Sequence, residues 1–196
     1  MGLSDPTDIE AYDRWLEKIT IGGAKPLTKP IEIRDYDPEW PAMYEQEETQ
    51  VCSILGERVV RIEHAGSTSV PGLCAKAIID VVLEVANSAD EGAYAPDLEA
   101  GGYVLQIREP DWFEHRLFER PDRNVHLHVF SASCEEVDAM LRFRDHLRAN
   151  AADHRLYALT KRELAGRSWK YGQQYADAKT PVICELMARA DRSHAR

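Results

Sequence analysis

The sequence predicts an α/β or α+β fold, a mixed β-sheet flanked by helices, on three observations. A run that is apolar on both faces, AIIDVVLEVA at 77–86, reads as a central strand. Strand and helix patterns then alternate up to about residue 132, and helical patterns alone complete the chain. With 196 residues, 44% of them hydrophobic and 30% charged, one domain with a real core is expected rather than two.

Residues 1–29 read as an appendage. An amphipathic helix carries Ile9, Tyr12, Trp15, Leu16 and Ile19 on one face, and a linker containing Gly and Pro follows. The domain proper is expected over 30–190. It opens with a short strand, IEIR at 31–34, and then a helix that Asp37 caps and Gly56 ends, with Trp40, Tyr44, Val51, Ile54 and Leu55 at helical spacing. RVVRIEHAG at 58–66 is a strand and STSVPGLCAK a turn-rich connection. With 77–86 this strand makes a hairpin-like pair at the middle of the fold. SADEGAYAPDLEAGG at 88–102 gives a helix ended by glycines, and YVLQIRE, EHRLFER and NVHLHVFSA give three more strands. Helices follow at 135–149, 151–165 and 169–190, and Pro181 is expected to kink or divide the last.

A net charge of -10 argues against general nucleic-acid binding, which depends on Lys and Arg neutralising phosphates. Residues 1–60 carry 13 acidic and 6 basic side chains, whereas 141–170 carry 8 basic against 3 acidic. That stretch reads as a solvated helix face or a local phosphate-holding surface. Cys52, Cys74, Cys134 and Cys184 stand far apart, so neither a zinc knuckle nor a disulfide scaffold is indicated, and they read as reduced, mostly buried thiols. No apolar run reaches membrane-spanning length and the first residues lack a signal-peptide pattern, so a cytoplasmic location is expected.

The chemistry centres on Asp80, an acidic residue inside an apolar strand, where an unpaired carboxylate costs several kcal/mol. Alternation puts Asp80, Val82 and Glu84 on one face, but Asp80 and Glu84 are roughly 13 Å apart along the strand. Gly66 and Ser67 end the preceding strand, where a glycine lets backbone N–H groups approach an anion, and Thr68 and Ser69 add hydroxyls. Lys76 stands at the mouth of the next strand. These residues suit a polyphosphate with Asp80 holding a bridging cation, although such turns are more often only turns. His126 and His128 project from one strand face, so with His115 they offer a second reading, a histidine-centred metal site. His115 and Arg116 face opposite ways, the first fit for acid, base or ligand duty and the second for pairing with a carboxylate or phosphate. Lys170, Tyr171, Tyr175 and Lys179 share spacings that suit either a phosphate clamp or core packing.

The segments IEIRDYDPEWPAMYEQE, VVRIEHAGSTSVPGLCAKAIIDVVLEV, EHRLF, HLHVF, FRDHLRAN and YADAKTPVI, in this order over about 30–190, resemble the GrpB family. The resemblance implies a branch of the nucleotidyltransferase superfamily, with a nucleotidyltransferase-like mixed sheet and a C-terminal helical segment. It places the superfamily's Gly-Ser turn and acidic strand on Gly66, Ser67 and Asp80. The implied activity is Mg²⁺-dependent transfer of a nucleotidyl group from an NTP to an unidentified acceptor. The alternative is a non-catalytic module for a nucleotide or other phosphorylated small molecule, linked to dephospho-CoA kinase and accessory to coenzyme A biosynthesis. The candidate catalytic and metal-binding set is Asp80, Glu84 and His128. The candidate substrate-binding set is Gly66, Ser67, Thr68, Lys76, Arg116 and Lys170. Active members of the superfamily carry a second carboxylate two residues after the first, and a third on a later strand. Here Val82 stands two after Asp80, and the later strand offers His126 and His128.

Overall fold

The computed structural model describes residues 9–194. Its strands are β1 (Arg61–Ala65), β2 (Ile79–Val85), β3 (Val104–Glu109), β4 (His115–Arg120) and β5 (Val125–Ser131). They form one mixed sheet in the order β1-β2-β5-β4-β3. β2 runs antiparallel to β1 and parallel to β5, while β3, β4 and β5 form an antiparallel meander. The helices are α1 (Ile9–Ile19), α2 (Trp40–Leu55), α3 (Ala95–Ala100), α4 (Glu135–Ala149), α5 (Ala151–Ala165), α6 (Gly172–Asp177) and α7 (Thr180–His194). The expected sheet flanked by helices, with a helical C-terminal part, is what forms.

Alternation along β2 sorts its side chains between two cores. Ile79, Val81, Leu83 and Val85 pack with Trp40, Val51 and Leu55 of α2 and Leu98 of α3. Burying each such aliphatic side chain contributes about 1.5–3 kcal/mol. On the other face Val82 and Ala65 pack with Phe130 and with Val137 and Leu141 of α4. A third cluster, Val70, Leu73, Leu147, Tyr157 and Leu186, seats α4, α5 and α7 around the turn after β1. Both faces of β2 are therefore covered, as its sequence requires.

Four expectations need correction. Residues 31–34 form no strand; only Arg34 bridges Ala75, because the neighbouring loop offers one backbone pairing and no ladder. The β1–β2 pair is not central: β1 is a sheet edge and β5 takes the middle. Asp37 acts one turn early, accepting from the Glu39 amide (2.9 Å), and α2 starts at Trp40 with Pro41 in its first turn. Cys52 and Cys184 are exposed, while Cys74 is buried. Pro181 does divide the last helix, opening α7 where its missing N–H costs nothing.

α1 packs on the sheet's far edge. Tyr12, Leu16 and Ile19 are buried with Tyr171, Thr20 bridges Ile107 of β3, and the Tyr12 hydroxyl donates to Asp177 (2.6 Å). The basic residues of α4 and α5 are largely engaged within the chain: Arg144 with Glu63 and Asp145, Arg162 with Asp35, and Arg148 with the Ser69 carbonyl. No helix among the described residues is long and apolar enough to cross a membrane.

Candidate functional site

Strand register builds the site. Asp80 on β2 lies opposite His126 on β5, which lies opposite Glu119 on β4, so one row across three strands carries carboxylate, imidazole and carboxylate. The next row is Val82, His128 and Leu117. Asp80 Oδ1 is 3.6 Å from His126 Nδ1 and 3.7 Å from His128 Nε2. Gly66 makes room for this carboxylate. Its φ of 65° and ψ of -170° suit glycine alone, and a Cβ there would lie 2.8 Å from Cβ and Cγ of Asp80.

Both imidazoles are held from behind. His128 Nδ1 is 3.1 Å from Nε2 of the buried His115, and His115 Nδ1 is 2.8 Å from Glu109 Oε2. A carboxylate accepts only, so the network assigns the proton to His115 Nδ1, and His128 Nδ1–H then donates to His115 Nε2. His128 Nε2 is thereby turned toward Asp80, able to donate a proton to the carboxylate or, once deprotonated, to offer a lone pair beside it. On the other ring, Glu119 Oε1 lies 3.5 Å from His126 Nε2. Burial lowers the pKa of His126 and of His115 to about 4, against the opposing pull of Asp80 and Glu109 respectively. Burial pushes the Asp80 carboxyl up, but contact with His128 and the charges of His126 and Lys76 override it and bring it to about 2.

Positive charge gathers beside Asp80. The ammonium groups of Lys76 and Lys179 lie 5.7 and 5.0 Å from the centroid of the Tyr175 ring, and Lys161 stands 4.9 Å from that of Tyr157. Burial, then repulsion from Lys76, lowers Lys179 to about 8. Burial lowers Lys161 to about 7, with Lys179 adding to it, and its ammonium donates to the Cys74 carbonyl. None of the three has a carboxylate within 4.0 Å among the described residues. The buried Tyr175 hydroxyl has no hydrogen-bond partner among the described residues.

Of the sequence candidates, the structure brings together Asp80, His128, Gly66, Ser67 and Lys76, with Ser67 reaching the Tyr157 hydroxyl. It takes four others elsewhere. Glu84 is buried and accepts from the Cys134 amide at the start of α4 (3.0 Å). Thr68 is buried between His64 (3.0 Å) and the Ile78 carbonyl (3.2 Å). Arg116 points to the opposite sheet face, where it pairs with Glu91 (2.5 Å) and Glu114 (3.2 Å). Lys170 pairs with Asp13 of α1 (2.5 Å). His115 supports His128 and is not itself among the converging donors, which are Asp80, His126 and His128. Sequence reasoning did not place Lys161, Tyr157 or Glu119 at the site. The alternation of EHRLFER could have found Glu119, but nothing local marks the other two.

A pair of Mg²⁺ ions does not fit these residues. Mg²⁺ takes oxygen ligands, yet Asp80 has nitrogen donors as its neighbours, Glu84 serves α4, and Val82 is packed in the core.

Comparison with known proteins accords with the fold. The description "GrpB protein" matches residues 30–189. A UPF0157 protein of Halalkalibacterium halodurans is 52% identical over 179 residues, which is 91% of this chain and 92% of that one. A dephospho-CoA kinase of Mycobacterium leprae is 25% identical over 92% of this chain and 52% of its own length. The crystal structure of the conserved protein GrpB from Enterococcus faecalis superposes with a TM-score of 0.70 at 28% identity, covering 84% of this chain and all of that one. With the GrpB family match running over residues 30–189, nearly the whole of the domain proper, the chain belongs to the GrpB family.

Proposed function

We propose that the chain binds a nucleoside triphosphate beside Asp80 and transfers its nucleotidyl group to an acceptor, with pyrophosphate as the leaving group. The observation that supports this is the crowding of Lys76, Lys161 and Lys179, whose charges oppose one another and meet no carboxylate at ion-pairing distance. A ligand with two or more negative charges relieves that repulsion. Lys76 and Lys179 both lie over the Tyr175 ring and would hold phosphate oxygens beside it. The unpartnered Tyr175 hydroxyl supplies a further donor. The Gly66-Ser67 turn keeps the chain close to Asp80 without filling the space between them.

A second reading, binding without turnover, is favoured by one observation: Val82 occupies the position of a second carboxylate and is buried in a core. The partial match to a dephospho-CoA kinase adds a proposed setting for it, as a module beside coenzyme A biosynthesis. Both readings suit a cytoplasmic protein. Calorimetric titration of ATP, GTP, CTP and UTP into wild type, Lys76→Ala and Lys179→Ala tests ligand binding. The expected result is binding by wild type and a loss of about tenfold or more in each variant. Pyrophosphate release on adding candidate acceptors separates transfer from binding. No nucleotide binding by wild type would end both readings as stated for nucleotides.

A further inference from the structure

We infer that Asp80, His126 and His128 form a three-ligand site for one divalent transition-metal ion of the Zn²⁺ type, with at least one coordination position left for a water or substrate oxygen. The donor atoms, one carboxylate oxygen and two imidazole nitrogens, all lie within 4.8 Å of one another. Such a set suits Zn²⁺ and its neighbours rather than Mg²⁺ or Ca²⁺.

Two observations separate this arrangement from an ordinary ion-pair cluster. The first is spacing. At 3.6 and 3.7 Å, the nitrogens are too far from Asp80 Oδ1 for good hydrogen bonds. Metal–ligand bonds of about 2.0–2.1 Å in tetrahedral geometry require ligand atoms about 3.3–3.4 Å apart; the two Asp80–imidazole distances are near this, and the imidazole nitrogens lie within 4.8 Å of each other. The second is orientation. The Glu109–His115 pair engages Nδ1 of His128 and turns its Nε2 to the carboxylate, and Glu119 stands behind His126 on the side away from Asp80. Metal-bound imidazoles characteristically have such carboxylate support on the nitrogen that does not touch the ion. In this chain the support reaches one ring directly and the other through a second imidazole.

The site is independent of the nucleotide reading: metal binding without nucleotide binding retains the first and removes the second. The test is titration of the chelator-treated full chain with Co²⁺, followed by its visible ligand-field bands, and then displacement with Zn²⁺. One ion per chain is expected, unaffected by excess Mg²⁺. His128→Gln and Asp80→Asn should weaken binding about 100-fold or more, and Glu109→Gln and Glu119→Gln by about 10–100-fold. Circular dichroism of each metal-free variant shows whether it folds. The two glutamate variants carry the test if a ligand variant does not fold, because their carboxylates never reach the ion. Wild type binding well below one equivalent, or folded variants binding as tightly as wild type, would overturn the inference.

Discussion

Gly66 and Asp80 are matched in shape: the glycine lacks the one atom that would strike the carboxylate. The β1–β2 register places Ala65 opposite Asp80, so the chain turns away from the sheet directly above the acid. Gly66→Ala is expected to cost about 1–3 kcal/mol through its backbone conformation alone. It should also displace Asp80, so that ligand and metal binding fall further than a global loss of stability explains. Urea midpoints together with the binding titrations measure the two effects separately.

Glu84 shares a face of β2 with Asp80, yet it holds the start of α4. Glu84→Gln keeps one acceptor for the Cys134 amide and is expected to lower stability by about 1 kcal/mol. Nucleotide and Co²⁺ affinities should stay within twofold of wild type. A large loss of binding in a folded Glu84→Gln protein would restore it to the site.

Lys179 gives the pocket a pH limit. Its ammonium loses its proton at about 8 because it is buried and faces Lys76. Anion binding should therefore weaken as pH rises from 7 to 9, with Lys161, whose pKa is lowered to about 7, contributing at the lower end and Lys179 at the upper. Calorimetry across this range should show a decline in wild type that is shallower in Lys179→Met.

His64 gives the fold a limit on the acid side. It is stacked on Tyr44 and sits beside Thr68, and burial lowers its pKa to about 4. Unfolded, it takes up a proton near pH 6.5. Between those values the unfolded chain binds more protons, so the stabilisation is complete above 6.5 and is lost as pH falls toward 4. Near pH 5 this single group accounts for about 2 kcal/mol. Urea midpoints at pH 7.5 and 5 should differ less in His64→Phe, which keeps the stacking without the titration.

Tyr12 ties α1 to α6. Removing its hydroxyl in Tyr12→Phe leaves Asp177 without a donor that it now has and is expected to cost about 1 kcal/mol, with no effect on ligand binding. Hydrogen exchange should show faster opening of α1 while β2 and β5 keep their protection.

The sequence made the sheet and most helices legible because alternation and helical spacing are strong where a face is buried, as in β2 and α2. It missed the short connections. IEIR alternates as a strand does, but no neighbour offers it a ladder, and only Arg34 pairs. At the site, alternation gave the His126 and His128 face correctly. It could not show that Asp80 falls beside them, since a parallel pairing between residues far apart in the chain leaves no local mark. Lys161 was equally hidden: its spacing places it on α5, and only the packing of α5 against the turn after β1 brings it near Cys74.

The β3–β4–β5 meander has a consequence for how the site is assembled in time. Glu109, His115, Glu119, His126 and His128 all lie within this locally connected unit, where short loops bring the strands together at little entropic cost. Asp80 joins only when β2 docks beside β5 across a long stretch of intervening chain. The imidazoles therefore sit on locally paired strands while the carboxylate comes from a long-range pairing, so an ion held by all three stabilises the docking of β2 on β5.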